Sequence, residues 1–340
     1  MNRILGSTDL AEVPTLIDGF GRRITYLRLS VTDRCDFRCV YCMAEEMTFL
    51  PRAQVLTLEE LALVGEVFAE LGVKSIRVTG GEPLVRRDVL SLMQRLGTLG
   101  LNDLTITTNG AKLAGLARPL VAAGVTRVNI SLDTLDDRLF TALTRHGRLG
   151  DVLAGIAAAK AAGFERIRLN AVILRDRNLA AVRPLVQFAL DEGLDIAFIE
   201  EMPLGAVVTH DRTQQFVPSA ELREHLAEVF ELSAIAATTP GPARYHQVAG
   251  YSSRIGFISP HSNNFCASCN RVRVSAEGRL LLCLGNEHSA DLRSVIRRYP
   301  GETGPLRDTI VNALTHKPER HYFEDAAAPQ IVRFMNSTGG

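Results

Sequence analysis

The sequence predicts an α/β protein whose larger part is a partial, open (β/α)6 barrel, followed by a smaller α+β region. Apolar, strand-like runs alternate with amphipathic helical segments at intervals of about 25–40 residues, the length that parallel strands with crossover helices need. Six such units precede residue 203, fewer than the eight of a closed barrel. Segments rich in Cys, Gly and polar residues follow the predicted strands, at the end where parallel barrels build active sites.

The predicted elements follow one another in a regular order. The strands are expected at 24–32, 74–81, 103–110, 125–133, 166–174 and 194–202. The helices are expected at 57–72, 88–99, 112–123, 136–144, 149–162 and 179–192, and after an irregular connector near 219–230, 288–298 and 304–316. The first helix has the clearest start, because Thr57 and Glu60 have the spacing of a capping box. The length suits two domains, which we expect at 1–218 and 219–340.

Composition and charge exclude several classes of function. The 38 basic and 38 acidic residues balance, so no general attraction to nucleic acid or to an anionic membrane is expected. No segment approaches the roughly 20 apolar residues of a membrane span, and the N-terminal segment lacks the apolar run of a signal peptide. We therefore expect a cytoplasmic protein, in which cysteines more often bind metals or act in catalysis than form disulfides.

Cys35, Cys39 and Cys42 form a C-x3-C-x2-C motif directly after the first predicted strand. A structural zinc site needs four ligands, and this loop supplies three. Three thiolates can instead bind three irons of a [4Fe–4S] cluster and leave the fourth iron open to a reactant. A disulfide with one free thiol, or zinc with a distant fourth ligand, are the alternatives. The spacing favours the open cluster.

The other three cysteines, Cys266, Cys269 and Cys283, form a second group with the spacing C-x2-C-x13-C. Again three thiols are present rather than four. Two sites with three thiolates each, and each with an open position, account for all six cysteines. His261 and His288 are alternative fourth ligands, so zinc remains open for this group.

The stretch "NRVRV" lies between the last two cysteines of the second group. In a strand, Arg271 and Arg273 lie on the same face. Two guanidinium groups beside a metal site suit a polyphosphate, because each can form a bidentate pair with phosphate oxygens. The alternative is a solvated strand face.

The motifs together resemble a known family. The first cysteine motif, with Tyr41 before its last cysteine, and "GGEP" at 80–83 are similar to the radical S-adenosylmethionine (SAM) enzymes. With the second triad, "NRVRV", "SLD", "FIE-x-M" and a terminal "GG", the chain resembles the GTP 3′,8-cyclases of molybdenum-cofactor biosynthesis (MoaA family) from about residue 18 onward. The resemblance implies a radical SAM barrel with a C-terminal iron–sulfur domain, two [4Fe–4S] clusters, SAM as cofactor and GTP as substrate.

The resemblance also implies a reaction and the residues that perform it. A 5′-deoxyadenosyl radical from SAM abstracts the 3′ hydrogen of GTP, and C3′ then attacks C8 of guanine. The catalytic group comprises the first cluster's ligands Cys35, Cys39 and Cys42 with Arg271 and Arg273. The second cluster's ligands are Cys266, Cys269 and Cys283. The SAM contacts are Tyr41, Gly81, Ser131 and Met202. The GTP contacts are Arg28, Arg77, Thr107, Arg168, Arg271, Val272 and Arg273.

Three features concern the details of this resemblance. The family usually has lysine where Arg168 stands, so the charge is kept but its geometry differs. The family usually has a basic residue where Ala197 stands, so one positive charge is missing there. The resemblance also implies that the Gly339–Gly340 tail reaches into the active site. The implied partners are an electron donor and, downstream, the cyclic pyranopterin monophosphate synthase, and a homodimer is allowed. The rival interpretation is another two-cluster radical SAM enzyme that modifies a peptide.

Overall fold

The computed structural model describes residues 15–205, 211–236, 239, 241–321, 323 and 333–339. These residues contain one twelve-stranded sheet with the strand order β12-β11-β10-β1-β2-β3-β4-β5-β6-β9-β8-β7. The strands are β1 Tyr26–Ser30, β2 Ser75–Thr79, β3 Asp103–Thr108, β4 Arg127–Ser131, β5 Arg166–Val172, β6 Asp195–Ile199, β7 Leu232–Ile235, β8 Arg244–Val248, β9 Arg254–Ile258, β10 Arg271–Val274, β11 Arg279–Leu281 and β12 Ser289–Asp291.

Helices connect the parallel strands. They are α1 Leu58–Glu70, α2 Val89–Gly97, α3 Leu113–Ala122, α4 Asp137–Thr144, α5 Leu149–Ala162, α6 Arg175–Asn178, α7 Val182–Glu192, α8 Arg212–Gln215, α9 Ser219–Ala227, α10 Leu292–Arg298, α11 Gly304–Leu314 and α12 Met335–Thr338. The predicted capping box is present, because Thr57 and Glu60 exchange side-chain and backbone hydrogen bonds at the start of α1. No helix of the described residues is both long and apolar enough to cross a membrane.

One predicted helix begins later than expected. The sequence predicted a helix over 288–298, but Ser289–Asp291 pairs antiparallel with β11. The carboxylate of Asp291 then accepts a 3.0 Å hydrogen bond from the Ser294 amide and caps α10. The helix therefore starts at Leu292, because its capping residue also ends a strand.

The six strands β1 to β6 are parallel neighbours in chain order, as predicted for a partial barrel. Two later strands extend this parallel arrangement: β10 pairs with β1 and β9 pairs with β6. The remaining strands are antiparallel additions at the two edges. The C-terminal region therefore continues the sheet at both edges, and the division into 1–218 and 219–340 stays a prediction.

The strands separate an apolar face from a charged one. On β1, Leu27 and Leu29 belong to the apolar core beneath the helices, whereas Arg28 lines a cavity on the other face. Neighbouring strands place Arg77 and Arg273 directly beside Arg28 in register. Because side chains alternate between the faces of a strand, three arginines come to lie side by side in the cavity.

Candidate active site

One cavity lies at the carboxyl ends of the parallel strands and is lined by both groups of cysteines. Every cysteine, SAM contact and GTP contact predicted from the sequence contributes to its wall: Arg28, Cys35, Cys39, Tyr41, Cys42, Arg77, Gly81, Thr107, Ser131, Arg168, Met202, Cys266, Cys269, Arg271, Val272, Arg273 and Cys283. The fold brings these residues together from nine strands and the loops that follow them, although the two cysteine groups are far apart in the chain. Their individual roles stay predictions.

The loop with the first three cysteines is docked on the "GGEP" turn after β2. The Gly81 amide donates a 2.6 Å hydrogen bond to the Thr32 carbonyl, and the Glu82 amide donates one of 2.8 Å to the Arg34 carbonyl. A Cβ atom on Gly81 would lie only 2.4 Å from the Arg34 carbonyl oxygen. Glycine is therefore required here to let two backbone segments touch.

A buried carboxylate, Glu82, fastens the same turn to the end of β3. It accepts hydrogen bonds from the Leu84 amide (2.9 Å), the Thr108 hydroxyl (2.8 Å) and the Asn109 amide (2.6 Å). Burial raises its pKa to about 7. The Asn109 side chain in turn donates to Asp36, at 2.7 Å, inside the cysteine loop. Glu82 thus joins the turn after β2 to the end of β3, next to the loop that bears the first cysteine group.

A second buried carboxylate, Asp133, holds Tyr41 in place. The sequence analysis had not predicted Asp133 as a site residue. The Tyr41 hydroxyl donates a 2.7 Å hydrogen bond to Asp133, which also accepts from the Val172 amide at 2.9 Å. Burial raises the pKa of Asp133 to about 6, although both hydrogen bonds favour the charged form. Asp133 is the last residue of the "SLD" motif, which was the available signal. The pair ties the cysteine loop to the ends of β4 and β5.

The first cysteine group fits a cationic metal group. Burial raises the pKa of all three thiols, that of Cys42 to about 12, because a bare thiolate is costly away from water. Bound metal removes this cost by neutralising the thiolate charge. Among the described residues no three His, Cys, Asp or Glu side chains converge on one metal ion, and a cubane [4Fe–4S] cluster distributes its thiolates over separate irons.

The second cysteine group is fixed by basic residues and by the chain that follows α11. Cys266 and Cys269 lie just before β10 and Cys283 follows β11. The Arg22 guanidinium donates a 2.9 Å hydrogen bond to the Cys266 carbonyl, and the His321 amide donates to the Cys266 sulfur at 3.4 Å. These contacts bring Arg22, before β1, and His321, after α11, to the same cysteine.

The electrostatic field at this second group is positive. Burial alone would raise the pKa of Cys269, but the nearby Lys317 and Arg271 together lower it. Lys317 lies beneath the site and donates hydrogen bonds to the carbonyls of Arg271 and Leu282. Nothing in the sequence pattern had marked Lys317 as part of a site.

Buried arginines line the cavity together with the two cysteine groups. Burial, and then neighbouring Arg273, lower the pKa of Arg28 well below its usual value. The pKa values of Arg77 and Arg273 are lowered to about 10, first by burial. In the described part of the chain, the Nε atoms of Arg77 and Arg271 have no hydrogen-bond partner. A polyphosphate would supply both the missing acceptors and the missing negative charge.

The segment that leads into the tail lies at the cavity wall, which Met335 and Asn336 line. The Asn336 side chain donates a 2.8 Å hydrogen bond to the Asp33 carbonyl in the cysteine loop. The Arg273 guanidinium donates to the Gly339 carbonyl at 2.6 Å. Gly339 therefore lies beside the predicted GTP contacts, whereas Gly340 is outside the described residues.

Comparison with known proteins identifies the family. The Radical SAM superfamily model matches residues 29–189, and the Molybdenum Cofactor Synthesis C model matches residues 194–323. A GTP 3′,8-cyclase from Saccharophagus degradans is 58% identical over 96% of this chain and 99% of its own length. One from Ectopseudomonas mendocina is 57% identical over 96% of this chain and 98% of its own length.

Solved structures agree with the fold. Streptococcus suis SuiB bound to S-adenosylmethionine superposes with a TM-score of 0.59 at 17% identity, covering 92% of this chain and 77% of SuiB. The structure of anSMEcpe with bound AdoMet gives a TM-score of 0.56 at 14% identity, covering 88% and 82%. At these identities the likeness concerns the radical SAM fold alone. The sequence relatives decide the family, and this chain belongs to the GTP 3′,8-cyclase family of radical SAM enzymes.

Proposed function

We propose that the chain is a GTP 3′,8-cyclase that performs the first step of molybdenum-cofactor biosynthesis. The observation that supports this most directly is the single cavity that both cysteine groups and a set of buried arginines share. A substrate with a triphosphate and a purine base can contact the arginines and the second cysteine group at once. The family membership and the cavity therefore point to the same substrate.

The first cysteine group would hold the cluster that binds SAM, and the second would hold the cluster that binds GTP. When bound, the first cluster would supply the electron that cleaves SAM to methionine and the 5′-deoxyadenosyl radical. That radical takes the 3′ hydrogen, C3′ bonds to C8 of guanine, and one further electron and one proton convert the cyclised radical to 3′,8-cyclo-7,8-dihydro-GTP. Tyr41, Gly81, Ser131 and Met202 line the part of the cavity proposed for SAM. The Tyr41–Asp133 and Gly81–Thr32 hydrogen bonds hold that wall in place.

The arginines bind and orient GTP. Arg28, Arg77 and Arg273 lie on neighbouring strands, and their lowered pKa values reflect the cost of burying cations close together. A triphosphate relieves this cost, so the site favours a highly charged anion. Arg77 and Arg271 also stack on the Tyr26 ring, with guanidinium-to-ring distances of 5.5 and 6.0 Å. Stacking restricts both guanidinium planes before the substrate arrives.

The remaining partners follow from the chemistry. Cleavage of SAM and reduction of the cyclised radical each take one electron from an external donor, and the product needs a downstream enzyme, the cyclic pyranopterin monophosphate synthase. We place the reaction in the cytoplasm, which supplies GTP and SAM and keeps thiols reduced. A homodimer is compatible with this function.

Anaerobic reconstitution tests the proposal. Two [4Fe–4S] clusters require about eight irons and about eight sulfides per chain, and incubation with GTP, SAM and a strong reductant should give the cyclised nucleotide. Cys283→Ala should halve the iron content and abolish cyclisation while SAM cleavage continues. About four irons in the unaltered chain, or stoichiometric zinc, would contradict the two-cluster assignment. Cleavage of SAM with unchanged GTP would favour the peptide-modifying alternative.

A further inference from the structure

Lys317, shortly after α11, joins the two backbone segments that bear Cys269 and Cys283. Its side chain is buried, with the residue 2% exposed. The ammonium donates a 3.0 Å hydrogen bond to the Arg271 carbonyl, two residues after Cys269, and another to the Leu282 carbonyl, the residue before Cys283. The Lys317 side chain therefore fixes the distance between the start of β10, next to Cys269, and the end of β11, next to Cys283.

A buried ammonium needs a compensating negative charge. Lysine is almost never fully buried unless it is paired with a carboxylate or another anion, and no salt bridge of Lys317 is found within the described ranges. The other cations that act on Cys266 or Cys269 together with Lys317 are Arg22 and Arg271. A [4Fe–4S] core bound by three thiolates has a net negative charge. A cluster on these cysteines would place negative charge next to the segments that this lysine joins.

We propose that Lys317 is a positioning residue of the second cluster, and that its fixed charge raises the reduction potential of that cluster. This inference rests on the proposed function, because it requires a cluster on Cys266, Cys269 and Cys283. The hydrogen bonds hold the ligand-bearing segments at cluster spacing. The positive charge stabilises the reduced cluster, which is more negative than the oxidised one.

The test uses the full-length chain with Cys35, Cys39 and Cys42 replaced by alanine, so that only the second cluster contributes a signal. In this parent, Lys317→Arg keeps the charge, Lys317→Gln keeps a hydrogen-bond donor without charge, and Lys317→Met removes both. Lys112→Gln, at an exposed lysine, is the matched control. Iron and sulfide content, the electron paramagnetic resonance spectrum of the reduced cluster and its midpoint potential are measured after anaerobic reconstitution.

We expect the Gln variant to keep its iron but to have a more negative midpoint potential than the parent, the Arg variant and the Lys112→Gln control. The Met variant should lose most of its iron. If circular dichroism shows that the Lys317→Met variant does not fold, the midpoint potential of the Lys317→Gln variant tests the inference. Unchanged iron and midpoint in the Gln variant would overturn the inference about Lys317 alone. A parent that binds no cluster would contradict the second cluster itself, and with it the proposed function.

Discussion

The Arg168 guanidinium donates a 3.0 Å hydrogen bond to the Tyr245 hydroxyl, which connects β5 to β8. The same guanidinium donates to Asn170 at 3.0 Å, so two groups orient it toward the cavity. The Tyr245 ring packs over Gly256, where a Cβ atom would lie 3.0 Å from the ring and 3.3 Å from the Ala197 side chain. Ala197 is buried in this contact. Tyr245 therefore fixes the basic side chain at 168 next to the buried Ala197.

Replacement of Tyr245 by phenylalanine should weaken GTP binding while leaving the ring packing intact. Loss of one hydrogen bond to a charged group costs about 1.5 kcal/mol, so KM for GTP should rise about tenfold with a smaller change in kcat. Steady-state kinetics measure both constants. Tyr251→Phe, at an exposed tyrosine, is the control, and equal KM values for the two variants would show that Tyr245 does not position Arg168.

Gly81→Ala should disrupt the first cluster site without affecting the second. The added methyl group would lie 2.4 Å from the Arg34 carbonyl oxygen and 2.7 Å from that of Asp33, so the cysteine loop must move. We expect the iron content to fall by about half and SAM cleavage to be lost. Gly115→Ala, where the methyl group meets nothing within 4 Å, should behave as the unaltered chain. Full iron loading with normal SAM cleavage in Gly81→Ala would contradict this explanation.

Gly339→Ala tests whether the tail acts inside the cavity. Gly339 has a φ of +78°, and its added methyl group would lie 2.7 Å from the Thr79 side chain. Gly301 has a φ of +83° with open space around it, so Gly301→Ala has the same backbone cost, about 1 kcal/mol, without the clash. GTP turnover should fall much further in Gly339→Ala than in Gly301→Ala, while iron content stays equal. Equal GTP turnover in the two variants would show that the tail takes no part in the reaction.

The Glu82 carboxyl should make stability depend on pH. Its pKa is raised from 4.5 to about 7 by burial, so the folded chain holds a proton that the unfolded chain releases between these values. The stabilisation is complete below pH 4.5 and is lost as the pH rises through 7, about 3 kcal/mol in total. Thermal unfolding of the reconstituted enzyme at pH 6 and pH 8 should show a larger decrease in Tm for the unaltered chain than for Glu82→Gln. Equal decreases in Tm for the two proteins would mean that the pKa of Glu82 is not raised in the folded chain.

Local sequence determined the chemistry of this protein. Each cysteine group lies within a short stretch of chain, so its spacing is visible without the fold, as are the "GGEP" turn after β2 and the alternation of strands and helices. These features identified the radical SAM fold and the family, which the comparisons confirmed. They also placed the first cysteine group and the "GGEP" turn directly after strands, where both line the cavity.

Only the tertiary structure decided how the second cysteine group meets the first. The pairing of β10 with β1 and of β9 with β6 joins residues more than 50 positions apart in the chain, and parallel pairing over such distances has no turn motif to reveal it. Of the supporting residues, Asp133 ends the "SLD" motif, whereas Tyr245 and Lys317 are common residue types without a distinctive spacing. Their importance arises from burial and from the hydrogen bonds they make to distant segments, and those exist only once the sheet has brought the segments together.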